Sequence, residues 1–115
     1  MNPTGKEAES KACLFLKQHG LTPVSRNYRG PTGEIDIIAI DNEVLVFIEV
    51  RCRNHPVFGQ GYESVNPSKI RKISQTAAHF LQCNENFRNR ACRFDIVSIR
   101  SGQSPLWIRN AFEAV

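Results

Sequence analysis

Two acidic side chains stand in neighbouring strand-like runs of the 115-residue sequence: Asp36 in GEIDIIAID and Glu49 in VFIEVRCR, with twelve residues between them. Strand side chains alternate between faces. In the run 43–53, Val44, Val46, Ile48, Val50 and Cys52 share one side, and Leu45, Phe47, Glu49, Arg51 and Arg53 share the other. Both sides begin apolar, the pattern of a strand covered on both faces. Glu49 sits where its side turns from apolar to basic. In the preceding run Glu34, Asp36, Ile38 and Ile40 share a side, so Asp36 can neighbour Glu49 across a hairpin. Two carboxylates brought together in a half-buried place repel each other and lose hydration. A divalent cation compensates for this, since Mg²⁺ takes carboxylate, water and phosphate oxygens. A salt bridge to Arg51 or Arg53 compensates as well. The pattern alone leaves both readings open.

These acids must be positioned by the elements around them. Thr4 and Glu7 have the spacing of a capping box, and Ala8, Ala12, Phe15, Leu16 and His19 then recur at helical spacing up to a stop at Gly20. Glu9 borders that apolar stripe and can point toward a cleft at the edge of the core. Strands are expected over 22–29, 34–40 and 43–53, with turns at 30–33 and at Asp41-Asn42. The stretch 54–66, with His55-Pro56, Gly59 and Gly61, reads as a loop. Asn66 and Pro67 then suit the cap and first position of a second helix. Its buried face is Ile70, Ile73, Ala77, Phe80 and Leu81. A polar segment, 84–89, leads to a strand at 93–100 and a short one at 105–108. No repeat or linker divides the chain, so one domain is expected.

A chain of this length can bury one core without disulfide or metal. Its 41% hydrophobic and 23% charged residues argue against disorder. The four cysteines, Cys13, Cys52, Cys83 and Cys92, form no CxxC pair and no zinc-ligand spacing with histidine. They read as reduced thiols, mostly buried, in a cytoplasmic protein. The polar start MNPTGKEAES lacks a signal peptide's apolar stretch, and no apolar run approaches a membrane span of roughly 20 residues. The net charge of +4 is modest. The cations cluster, however, at Arg26 and Arg29, at Arg51 and Arg53, at Lys69, Arg71 and Lys72, and at Arg88, Arg90 and Arg93. Such clusters suit a polyanion or, more blandly, a solvated surface.

The segments GEIDIIAID and VFIEVRCR resemble the PD-(D/E)XK nuclease signature, an Asp on one strand followed by Glu-x-Lys on the next. Over nearly the whole chain the sequence resembles the bacterial YraN family of predicted endonucleases, related to archaeal Holliday junction resolvases. The resemblance rests on Gly5 and Glu9, Arg26-Asn27, Gly33 to Asp36, Phe47 to Arg53, Lys69, and Arg93 to Val97. It implies an α/β (mixed α+β) restriction-endonuclease-like core in α-β-β-β-α-β order, with a central mixed sheet flanked by helices. It also implies Mg²⁺ or Mn²⁺ held by Asp36, Glu49, the backbone carbonyl of Val50 and Glu9. Arg51 stands where the signature has Lys. A guanidinium cannot act as a base, but it can hold a phosphate oxygen or stabilise charge in the transition state.

The expected activity is metal-dependent hydrolysis of DNA, branched or junction DNA included, with Asp36, Glu49 and Arg51 catalytic. Arg26, Arg53, Lys69 and Lys72 would contact flanking phosphates. By analogy with resolvases the oligomer would be a homodimer. One alternative keeps the fold but not the chemistry, as a structure-selective DNA-binding protein in which Glu49 pairs with Arg51 or Arg53. Another is a scaffold that binds neither DNA nor metal.

Overall fold

The computed structural model describes residues 5–53 and 66–115. The elements run α1 (Gly5–Gln18), β1 (Thr22–Gly30), β2 (Gly33–Asp41), β3 (Val44–Arg53), α2 (Pro67–Cys83), β4 (Cys92–Arg100) and β5 (Leu106–Phe112). A short 3-10 turn, Glu85–Phe87, lies between α2 and β4. The strands form one mixed sheet in sequence order. Its neighbours are antiparallel except β3 and β4, which run parallel. A parallel pair needs a long crossover, and α2 lies in that connection.

Each helix covers one face. Ala8, Ala12, Cys13 and Leu16 of α1 pack on Ile37, Ala39, Val46, Ile48, Val97 and Ile99. Ile73, Ala77 and Phe80 of α2 pack on Ile35, Ile38, Leu45, Phe47 and Phe94. β3 thus alternates as its sequence requires, with Val46 and Ile48 toward α1, and Leu45 and Phe47 toward α2. Asn66 caps α2 as expected: its side chain accepts from the Lys69 backbone N–H at 2.9 Å, and Pro67 opens the helix.

Several expectations change. Asp41 belongs to β2, so the hairpin turn is Asn42-Glu43, with Asn42 in the left-handed region at φ 56°. The last strand continues to Phe112 because residues beyond Ile108 find partners on β4. The Asn110 amide donates to Asp95 at 2.9 Å, and Phe112 stacks on Phe94. Of the four thiols, Cys13 is buried and Cys52 half-buried, whereas Cys83 and Cys92 are exposed. Arg93 is not free for a polyanion, since it donates to Asp95 at 3.0 Å and to Asp41 at 2.9 Å. Among the described residues no helix is long and apolar enough to cross a membrane. Thr4 with its capping box, His55, the rest of 54–65 and the Arg53 side chain lie outside the described residues.

Candidate active site

Strict alternation would put Ile35 and Ile37 on one face of β2, but they point into opposite cores. The same reversal occurs opposite them on β1. Arg26, paired with Ile37, reaches Ser10 of α1 at 3.3 Å, whereas Tyr28, paired with Ile35, packs edge-on against Phe80 of α2. Between these pairs stand Asn27 and Asp36, and Asn27 is left-handed at φ 54°. A left-handed residue turns a strand over, and Asn tolerates that conformation better than most side chains. The two strands therefore change face together at Asn27 and Asp36. This leaves Asp36 at the boundary between the faces.

The β2–β3 ladder ends at Ile37 and Ile48. One step further the same register sets Asp36 against Glu49. There the backbone N–H of Val50 donates to Asp36 Oδ2 at 2.8 Å, so the acid replaces a strand carbonyl as acceptor. Glu49 is 5% exposed. Burial pushes the Asp36 carboxyl up to about 6, and the charges of Glu9 and Glu34 add to the rise. The Val50 amide and Lys69 oppose it. Burial likewise pushes Glu49 up to about 7, with Asp36 adding to it and Lys69 and Arg51 opposing. Asp36 thus raises the proton affinity of Glu49, as a like charge in a desolvated place does, while Asp36 itself is raised by burial and by Glu9 and Glu34.

Among the described residues two cations flank Glu49. Lys69 Nζ stands 3.7 Å from its Oε2, and Arg51 Nη2 stands 4.0 Å from the same atom. Neither pair is a short, well-formed bridge. Glu49 Oε1, Glu9 Oε1, and Arg51 Nε and Nη2 are buried without any hydrogen-bond partner among the described residues. Polar atoms left so are rare in native proteins and call for an explanation.

Asp36, Glu49, Val50 and Arg51 come together here, with Glu9 near enough for its charge to act on Asp36. Arg26 and Lys72 are exposed on the flanks, Arg26 beside α1 and Lys72 on α2 close to Gly33. Lys69 is not a flank residue. The cap at Asn66 fixes the first turn of α2, and that turn delivers Lys69 to Glu49. The cap was readable in the sequence; the approach of the helix to β3 was not. Glu34 also adds its charge to Asp36 while pairing with Arg29 at 3.2 Å.

Among the described residues no three His, Cys, Asp or Glu side chains are grouped closely enough to hold a metal ion. The donor set near β3 is two carboxylates, one of them with a buried free oxygen. That fits Mg²⁺, which keeps several waters and is commonly bound through one or two carboxylates plus substrate phosphate.

Comparison with known proteins agrees with a shared design over most of the chain. The model of the family described as "Uncharacterised protein family UPF0102" matches residues 8–99. A UPF0102 protein of Saccharophagus degradans is 48% identical over 111 residues, covering 96% of this chain and 93% of that protein. One of Psychromonas ingrahamii is 45% identical over 113 residues, covering 97% and 91%. One of Alkalilimnicola ehrlichii is 41% identical over 111 residues, covering 96% and 87%. The matched span takes in both carboxylates, the cations beside them and the helix that delivers Lys69: the chain belongs to the UPF0102 family.

Proposed function

We propose that this protein hydrolyses phosphodiester bonds in DNA with Mg²⁺ or Mn²⁺, on a restriction-endonuclease-like core, and that branched DNA is among its substrates. The observation that carries the reading is the pair Asp36 and Glu49. Burial raises both carboxyls, the charge of Asp36 adds to the rise at Glu49, and Glu49 keeps an oxygen without a partner among the described residues. A structural ion pair would be expected to close on both oxygens, as Arg93 closes on Asp95.

Asp36 and Glu49 would hold the cation, with the Val50 amide fixing the orientation of Asp36. A divalent ion bound there supplies Lewis-acid activation of water and of the phosphate. Hydrolysis joins a water oxygen to phosphorus, breaks one P–O ester bond and puts a proton on the leaving oxygen. Lys69 holds the attacking water by hydrogen bonding. Its ammonium passes a proton toward the leaving oxygen and takes one from the attacking water in return, an exchange that a guanidinium does not make. Arg51 stabilises the charge that develops on the phosphoryl oxygens. Arg26 and Lys72 contact flanking phosphates.

Purified protein should cut branched, duplex or single-stranded DNA in Mg²⁺ or Mn²⁺, with Asp36→Ala inactive in the same panel. Cutting that survives both the substitution and a chelator overturns the proposal. The two cations beside Glu49 favour a second reading, in which the fold binds DNA without chemistry. Calorimetric titration with Mn²⁺ separates the two, since a metal site lost in Glu49→Ala is incompatible with the second.

A further inference from the structure

One arginine of this protein provides an internal standard for another. Arg93 presents the edge formed by Nε and Nη2 to Asp95, donating at 3.0 Å to Oδ1 and 3.1 Å to Oδ2. Arg51 has the same edge buried, with no hydrogen-bond acceptor among the described residues. Among the described residues its acid partner is Glu49, whose Oε2 stands 4.0 Å from Nη2, beyond hydrogen-bond length. A desolvated guanidinium edge without an acceptor is costly.

Ser98 is the residue beside it. β3 and β4 pair Arg51 with Ser98 directly. Val97 and Ile99 point toward α1, so Ser98 shares the opposite face with Glu49 and Arg51. Ser98 is 1% exposed, and its hydroxyl is a second buried group with no partner among the described residues. Two donors on adjacent strands, both buried and both without acceptors, lie on the same face beside the carboxylate pair.

We infer that Arg51 and Ser98 form an oxyanion subsite that takes a phosphate group of a nucleic-acid backbone. The Arg51 edge binds two non-bridging oxygens in the fork geometry that guanidinium and phosphate share. The Ser98 hydroxyl donates a third hydrogen bond. The inference rests on the proposed reading for its ligand, but binding at this subsite needs neither metal nor cleavage. Ser98 is then a binding residue on β4.

The test is fluorescence anisotropy with a labelled duplex in EDTA, across a salt series, for wild type, Ser98→Ala and Arg51→Gln. Ser98→Ala should weaken binding about 10-fold, the loss of one hydrogen bond to a charged group, with an unchanged salt slope. Arg51→Gln should weaken binding and lower the slope of log K against log salt by about one. Ser98→Ala should unfold no more easily than wild type, because it removes a hydroxyl that has no partner in the free protein. A hydroxyl needed only for structure would give the reverse pattern: lower stability and intact binding.

A second arm titrates inorganic phosphate while following the Arg51 Nε–H resonance by NMR. A shift in wild type that is reduced in Ser98→Ala supports the subsite even if no duplex binds, and in that case it is the nucleic-acid reading that fails. An Arg51 resonance indifferent to phosphate, or Ser98→Ala binding the duplex like wild type, overturns the inference.

Discussion

The backbone amide of Val50 donates to the carboxylate of Asp36 at 2.8 Å. That bond ties the residue after Glu49 to the acid of the neighbouring strand. It holds the two carboxyls together where the ladder has already ended, and their shared burial raises both proton affinities.

The first prediction concerns pH and stability. Both carboxyls bind protons more tightly in the folded chain, Asp36 up to about 6 and Glu49 up to about 7, against ordinary values of 3.8 and 4.5. Between the ordinary and the raised values the folded state carries more protons than the unfolded one. Stability of the metal-free protein therefore falls as pH rises from about 4 to about 7. Asp36→Asn removes one charge and keeps an oxygen for the Val50 amide. It should raise metal-free stability at pH 8 by on the order of 2 kcal/mol and do little at pH 4. Urea unfolding at the two pH values measures this, and equal effects at both would contradict it.

The second concerns Lys69. Lys69→Met removes the cation 3.7 Å from Glu49 and the group assigned to proton transfer. Cleavage should fall by roughly 10²-fold or more. Lys69→Arg keeps the charge but not the proton exchange, so it should recover DNA affinity without recovering the rate. Arg51→Lys should retain activity or gain it. A Lys69→Arg rate equal to wild type would assign Lys69 a purely electrostatic role.

The third concerns Asn27. Its left-handed backbone accompanies the change of face that exposes Asp36 to the site. Asn27→Gly should be tolerated. Asn27→Val should cost roughly 1–2 kcal/mol, the penalty of a left-handed residue with a branched side chain. It should also weaken activity, by displacing Asp36. Thermal unfolding and cleavage rates check both, and an Asn27→Val protein as stable and active as wild type would remove the structural role.

The fourth concerns Asp95, which is fully buried and accepts from Arg93, from the Trp107 indole at 2.9 Å and from the Asn110 amide at 2.9 Å. Asp95→Ala leaves those donors without an acceptor and should destabilise by about 3–5 kcal/mol. Denaturant midpoints report the loss. In a partly folded preparation, activity per folded molecule should be preserved, since this network stands apart from the carboxylate pair.

Much of the fold was legible without coordinates because its signals are local. The alternation of β3, the Asn66-Pro67 start of α2 and the helical stripe of α1 all depend on residues a few positions apart. The acids were legible as a pair for the same reason, since a hairpin brings Asp36 and Glu49 within one register of each other. Only the tertiary structure decided what surrounds them. The reversal at Asn27 and Asp36 breaks the period-2 rule, and no local pattern announces a left-handed residue inside a strand. Lys69 and Ser98 reach the site through α2 and β4, long-range contacts set by packing on both faces of the sheet. Arg93, one cation among many in the sequence, is claimed by Asp95 and Asp41, while Arg51 keeps its donors unfilled. Charge and residue type are properties of the chain, but whether a donor finds its acceptor is settled by burial, and burial belongs to the folded molecule.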